Sequence, residues 1–547
     1  MLHMVLITLL ITGVTLFTIK RHLTYLHIFQ QDEYNNYRFL TWIVEHKAFD
    51  KRLTIVLFVI FIINHFCFTH ANLTWQYILE FTGQYIGFII AVFVFVYLEK
   101  NPIKTAKKKL TMTARANRIH YLGLFLNLCG NLILLLNVHL QNYFIALLLT
   151  VQLIPIYIIL ANLLLTPIEK NIQQKFWQEA KQKLLNQKPF IIGITGSFGK
   201  TTVKHFLGHI LQQFDHTLIT SGSINTSMGI SRVIREELNA IHKYFVVEMG
   251  AYAVGSINEI CKLTPPNLGI ITAIGTAHYE RFKTLDTVAT AKFELAGSVI
   301  NNDSQNNNPK VIISEQVLNT DYAKQYLQAH KQSFEILAQQ QLSKVTQLKT
   351  GLSMEIQLNG VNHPLEIPVF GLHNATNIGL AFLAAHSIGM PILAITNALK
   401  SMPQISHRLE VRKQNNYTII DDAYNANPDG FKSALELLSF LHEPPGRRIL
   451  VTPGLIELGK KHDSEHLMLG QIAAQYADIV IVVNYKRIPS FISGFKQNAD
   501  TQGTVKQIIT VSSFKEAQDW LNKNSKEKDT ILLANDLPDL YEGGLKI

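Results

Sequence analysis

The stretch Gly193-Ile-Thr-Gly-Ser-Phe-Gly-Lys-Thr-Thr202 decides the fold of this 547-residue chain. It follows the apolar run Pro189-Phe-Ile-Ile192, which reads as a buried strand. It precedes Val203-Lys-His-Phe-Leu-Gly-His-Ile-Leu211, whose apolar residues recur at helical spacing. Strand, glycine loop and helix in this order make a phosphate-binding loop. Its glycines let backbone N–H groups turn onto phosphate oxygens, and the helix N-terminus adds positive dipole. Lys200 is placed to neutralise β- and γ-phosphates, the Thr201 hydroxyl to ligate Mg²⁺, and Gly196, Ser197, Gly199 and Thr202 to complete the cradle. The strict spacing wants glycine at 194; this chain has Ile194 there and carries its glycines at 193, 196 and 199.

Composition divides the chain. Residues of the hydrophobic class make up 48% of it, concentrated before residue 167, while the formal net charge is +10. Between Lys100 and Arg118 stand seven Lys or Arg and no acidic residue, directly beside apolar spans. That placement suits a membrane surface rather than a nucleic-acid groove, and no nucleic-acid partner is expected. The cysteines, Cys67, Cys129 and Cys261, are far apart, so neither a disulfide framework nor a zinc site is indicated.

The apolar spacing predicts five membrane helices, at residues 1–18, 53–68, 77–98, 121–140 and 143–165. The first also has the length of a signal peptide, but no Ala-x-Ala site follows it, and it is read as retained. The loops at 20–52 and 100–118 are basic, whereas 70–76 and 141–142 carry no Lys or Arg. The charge rule then puts the N-terminus outside, and both basic loops and everything after Pro167 in the cytoplasm of a bacterial inner membrane. Glu80 and His65 lie near span ends and read as interfacial, which disfavours an ion-driven transporter. The aromatic segment Tyr25 to Trp42 is either an interfacial helix or a surface that helps hold a lipid-linked substrate. The expected domains are thus a transmembrane bundle at 1–166, a linker helix at 167–188, a central ATP-binding domain at 189–402, and a C-terminal domain at 403–547.

Beyond the glycine loop, His242-Lys-Tyr-Phe-Val-Val-Glu-Met-Gly250 reads as a strand ending in Glu248, a carboxylate suited to Mg²⁺. Leu268 to His278 is a second buried-type strand, followed by a helix that carries Lys292. Val-Glu-Met-Gly-Ala, Thr-Ala-His-x-Glu-x-Phe and Ala-x-Ala-Lys-x-Glu, at this separation from the loop, resemble the central domain of the Mur ligases, most closely the MurF type. These are ATP-dependent amide-bond synthetases of cell-wall assembly; the MurF type adds D-alanyl-D-alanine to a UDP-muramoyl tripeptide. The resemblance implies that Thr201 and Glu248 hold one Mg²⁺ and that His278 and a carbamylated Lys292 hold a second. It also implies that Asn225 and Thr226, in Asn-Thr-Ser-Met-Gly229, lie near the acyl substrate. Asn374 and Asn377, in Gly371-Leu-His-Asn-Ala-Thr-Asn377, resemble the family's adenine-reading asparagines; helix capping is their other reading.

In the last domain, Ser406-His-Arg-Leu-Glu410 resembles the segment whose arginine reaches the phosphates, with His407 where glycine is usual. Asp421-Asp-Ala-Tyr-Asn-Ala-Asn-Pro428 is similar to the family's Asp-Asp-Ser-Tyr-Asn-Ala-Asn-Pro. Arg408 is thereby a catalytic candidate, Asp422 faces nucleotide, and Asn425 and Asn427 face substrate. Strands are predicted at 448–452, 479–483, 508–511 and 530–534, an alternating Rossmann-like α/β pattern. Two departures stand out. Pro453-Gly-Leu-Ile-Glu-Leu-Gly459 keeps Glu457, a substrate candidate, but lacks the family's preceding aspartate. Ala534-Asn-Asp-Leu-Pro-Asp539 replaces a Lys-Gly-Ser-Arg-type segment.

The expected protein is therefore an all-α membrane bundle followed by a two-domain α/β ligase that uses ATP and two Mg²⁺. It would join a peptidoglycan-type precursor to an amino acid or dipeptide, at the bilayer and beside membrane-bound wall enzymes. The same chemistry on a poly-γ-glutamate-like or other lipid-linked polymer, an ATP-driven transporter and a pseudo-enzyme are the alternatives.

Overall fold

A computed structural model describes residues 2–535 apart from 46, 69–73, 106–108, 138–142, 276–281, 283, 303–309, 415, 425–426, 457 and 502–505. It divides into a helical unit up to Ile172 and an α/β unit from Gln173.

The helical unit contains Leu2–Gln31, Asn36–Glu45, Arg52–Phe68, Thr74–Leu98, Ala114–Asn137, Tyr143–Gln152 and the start of Ile154–Gln187. Its outer faces carry Leu9, Leu16, Ile55, Phe58, Ile90 and Val94, while Arg21, His22, Asp50 and His120 are buried. The expectation of five spans is supported in part: among the described residues two helices, Val5–Gln31 and Tyr85–Lys104, are long and apolar enough to cross a bilayer, and Arg52–Ile63 is a shorter apolar helix. Two other expectations need correction. The first helix does not stop at Lys20: it continues to Gln31, because Arg21 ion-pairs with Asp50 and lies 3.5 Å from Glu99, so its charge is compensated inside the bundle. The linker helix is no separate element either, since Ile154–Gln187 is one helix with Pro167 inside it.

The α/β unit holds two sheets. The first comprises β1 (Phe190–Thr195), β2 (Thr217–Ile219), β3 (Tyr244–Glu248), β4 (Leu268–Ile271), β5 (Lys310–Ser314) and β6 (Phe334–Leu337), all parallel, in the order β2-β3-β1-β4-β5-β6. Its strands read as continuous Ile/Val runs because helices cover both faces. Val203, Phe206, Leu207 and Ile210 of the helix Lys200–Gln212 pack on one face with the alanine-rich helix Asn374–Ser387. The last turns of Ile154–Gln187 pack Ala180 and Leu184 into the core on the other. Three antiparallel strands, β7 (Leu342–Leu348), β8 (Gly351–Leu358) and β9 (Val361–Ile367), form a side sheet.

The second sheet comprises β10 (Glu410–Gln414), β11 (Tyr417–Asp422), β12 (Arg448–Thr452), β13 (Ile479–Val483), β14 (Gln507–Val511) and β15 (Thr530–Ala534), in the order β10-β11-β15-β12-β13-β14. Only the β10–β11 pair is antiparallel. The C-terminal ends of β1 and β3 open toward the end of β11, and the candidate site lies there.

Candidate active site

The glycine loop joins β1 to the helix Lys200–Gln212, and two of its glycines are required by geometry. Gly199 has φ +79°, and a Cβ on it would lie 2.4 Å from Asn377 Oδ1. A Cβ on Gly196 would lie 1.9 Å from Thr272 Oγ1. The loop backbone is thus pressed between the segment after β4 and the helix Asn374–Ser387. Lys200 Nζ donates to Gly196 O at 2.8 Å, and the Ser197 hydroxyl is tied to the Gly275 backbone at 3.0 and 3.1 Å.

At the end of β3 the Glu248 carboxylate gathers three donors from two elements, the helix Lys200–Gln212 and the loop that carries Asn225. Thr201 Oγ1 donates to Oε2 at 2.8 Å, Lys204 Nζ to the same oxygen at 3.1 Å, and Asn225 Nδ2 to Oε1 at 3.2 Å. Side chains of Lys204 and Glu248 are 0% and 2% exposed, so this is a buried ion pair. Burial alone would raise the Glu248 carboxyl. Lys204, Lys200 and the hydrogen bonds from Thr201 and Lys204 outweigh it and hold the group below the usual carboxylate range. Lys292, buried in the helix Leu285–Asn301, is pushed well below an ordinary lysine by burial, with Lys200 adding to it. Burial thus favours the neutral amine of Lys292, the form from which a carbamate is made.

From the second lobe, Arg408 stacks on the Tyr424 ring, 5.2 Å from its centroid, close enough to Lys200 to depress that ammonium after burial has done so. It sits in a strained turn: His407 has φ +61° and Leu409 φ +50°. The left-handed conformation explains why glycine is usual at 407; here His407 Nδ1 lies 2.9 Å from Asp421 Oδ2, which helps offset the strain. Asp422 accepts from Leu409 N at 3.2 Å, and burial pushes its carboxyl up to about 7, against the opposing pull of that bond and of Arg408.

Between the lobes lies a cavity of about 260 Å³, lined by Phe198, Phe206, Asn374, Asn377, Arg408 and Asp422 among others. Asn374 and Asn377 are bonded to each other at 2.9 Å, and Asn374 also donates to Phe370 O; neither side chain caps the helix that carries them.

The structure thus brings Gly196, Ser197, Gly199, Lys200, Thr201, Thr202, Glu248, Asn374, Asn377, Arg408 and Asp422 to one cleft. Thr226 and Asn427, expected to face substrate, spend their side-chain oxygens on helix N-caps, accepting from Gly229 N and Gly430 N, and Asn427 also lines the cavity. His278, Asn425, Glu457, Asp536 and Asp539 lie outside the described residues. Lys204 and Tyr424 are site residues that the sequence reading passed over. The signal for Lys204 was its place four residues after Lys200, on the same helix face.

Parallel sheet, phosphate-binding loop, buried carboxylate and an arginine delivered from a second α/β lobe define a two-lobed nucleotide-binding protein. Residues 194–385 match the Mur ligase middle domain, and residues 407–535 match the Mur ligase, glutamate ligase domain. Over these two lobes the chain belongs to the Mur ligase family, whose members are ATP-dependent acid–amino-acid ligases.

It is 30% identical over 290 residues to the UDP-N-acetylmuramoyl-tripeptide–D-alanyl-D-alanine ligase of Buchnera aphidicola, a match covering 51% of this chain and 60% of that one. To the Escherichia coli enzyme of the same name it is 29% identical over 300 residues, 52% of this chain and 62% of that one. The chain therefore spans only about six-tenths of the length of these relatives. Among solved structures, MurF from Acinetobacter baumannii superimposes with TM-score 0.57 at 23% identity, over 68% of this chain and 78% of that one. MurF ligase from Thermotoga maritima in complex with ADP gives 0.56 at 22% identity, over 68% and 81%. These likenesses carry the fold.

Proposed function

We propose that this chain is a membrane-anchored, ATP-dependent ligase that joins a carboxylate of a peptidoglycan-type precursor to an amine through an acyl phosphate. The observation that carries the reading is the convergence, on one cleft, of the glycine loop with Lys200, the Thr201–Glu248 pair, the buried Lys292, and Arg408 from the opposite lobe. ATP with Mg²⁺ would supply the phosphoryl group and neutralise its charge. Thr201 and Glu248 offer two oxygen ligands 2.8 Å apart, the hard-donor set that Mg²⁺ takes. His278 and a carbamylated Lys292 would offer the second set. Loop N–H groups and Lys200 hold the phosphates, Asn374 and Asn377 face the base, and Arg408 stabilises charge on the phosphoryl group in transfer. Asn225, bonded to Glu248, and Asn427, which lines the cavity, are assigned to the substrate side. Closing the lobes excludes water, which would otherwise hydrolyse the acyl phosphate.

The front unit supports anchoring in a bacterial inner membrane by its inverted polarity. Large apolar side chains lie exposed on its helices, while Arg21 and Asp50 are buried and paired with each other, a pattern that suits apolar surroundings. The relatives bear the name UDP-N-acetylmuramoyl-tripeptide–D-alanyl-D-alanine ligase, so D-alanyl-D-alanine and a UDP-muramoyl tripeptide are the first pair to try. The test is phosphate release by detergent-purified full-length protein with that pair. Release requiring both, with a product heavier by the dipeptide, supports the reading. Silence with the pair but release with lipid-linked peptides or other amines redirects the substrate and keeps the chemistry; ATP turnover indifferent to every carboxylate and amine would end it.

A further inference from the structure

The segment between β2 and the helix Ser227–Glu236 is gripped from three sides. Lys204, on the phosphate-loop helix, donates to Gly222 O. Asn225 donates to Glu248 Oε1 at 3.2 Å and accepts from the Tyr252 hydroxyl at 3.1 Å. From the other lobe, the Tyr424 hydroxyl shares a hydrogen bond with Ser223 Oγ, while the same ring lies under the Arg408 guanidinium. One aromatic residue therefore touches both the arginine that faces the phosphates and the segment next to the Mg²⁺ carboxylate.

We propose that Tyr424 is a positioning residue that latches the segment 221–226 when the lobes close, so that the segment holding Asn225 against Glu248 is tightest while Arg408 is over the nucleotide. The proposal rests on the ATP-dependent reading above. A tyrosine suits the task because its ring holds the guanidinium by cation–π attraction while its hydroxyl, at the far end, bonds across the cleft. Closure and substrate-side order are then one event, which protects an activated carboxyl from water until both halves are in place.

Hydrogen exchange of the segment 220–226 in detergent-solubilised full-length protein, with and without AMP-PNP and Mg²⁺, tests this. In the wild type, nucleotide should slow exchange there. Tyr424→Phe keeps the ring and removes the hydroxyl, and Ser223→Ala removes its partner. Each should lower the nucleotide-dependent protection about fivefold, as loss of one hydrogen bond implies, and the double variant should lose no more than either alone. Nucleotide affinity, measured in the same samples, should fall by no more than the same factor, because the latch is linked to nucleotide-driven closure. If nucleotide binds the variants and the segment is protected as in the wild type, or if the two effects add, the latch is overturned. If the wild type binds no nucleotide, the ATP reading falls and takes the latch with it.

Discussion

Replacing Lys204 by methionine removes one partner of a buried ion pair and leaves Glu248, 2% exposed, without its nearest cation. Such a break costs about 3–5 kcal/mol. Thr201 and Asn225 still donate to the carboxylate, which places the expected loss at the lower end, about 3 kcal/mol. For a domain of this size that corresponds to an apparent melting temperature lower by roughly 6–12 °C. The sign of its pH dependence follows from the same geometry. In the wild type the Glu248 carboxyl is held low, so its contribution to stability is present above the ordinary glutamate pKa and is lost as pH falls through the lower folded value. Without Lys204, burial is opposed by Lys200 and the Thr201 hydrogen bond, so the carboxyl moves up from its wild-type position. The variant then loses less stability on acidification than the wild type does, and its deficit should be smaller at pH 5 than at pH 8. Thermal melts of full-length protein in detergent at the two pH values, with Lys204→Met, Glu248→Gln and the double variant, measure all of this. The double variant buries no unpaired charge and should recover most of the loss. A Lys204→Met protein that melts with the wild type, or a deficit that grows on acidification, would refute the reasoning.

Other consequences are simpler to check. Gly199→Ala meets Asn377 Oδ1 at 2.4 Å in a left-handed backbone, so nucleotide affinity should fall at least tenfold for a strain of roughly 1–2 kcal/mol plus the clash, read by fluorescence titration. Lys292→Ala should abolish turnover while nucleotide binding stays largely intact; unchanged turnover would remove the carbamate proposal. Asp422, its carboxyl pushed up to about 7, favours the folded state most at low pH, and that contribution is lost as pH rises through about 7. Asp422→Asn should therefore flatten the melting profile across that range and erase any limb near pH 7 in the rate profile.

How much of this was legible depends on how local each signal is. The strand, loop and helix from Phe190 to Gln212 are contiguous, so glycine spacing and apolar period were enough, and the four strands from Arg448 to Ala534 could be read from their Val/Ile runs. Glu248 was read from its place at the end of a strand beside the loop, Arg408 through the resemblance, and the fold brings both to the loop. Lys204 was missed because a lysine in a helix is ordinarily at the surface, and only the end of β3 turns this one inward. Asn427 carried an overlooked local signal: asparagine before Pro428 is a cap followed by the first helical residue, and it is used that way. The end of the first helix was misjudged because Lys20, Arg21 and His22 look like the end of a span. Asp50, far along the chain, neutralises Arg21 and lets the helix continue.

Carboxylate activation is the central claim, and isotope transfer tests it most directly. The acyl substrate, labelled with ¹⁸O in its reacting carboxyl, is incubated with full-length protein, ATP, Mg²⁺ and the amine, and the released phosphate is weighed. If the γ-phosphoryl passes to the carboxylate and the amine then displaces it, each phosphate leaves with one labelled oxygen. Phosphate released without label at the rate of product formation would contradict the account.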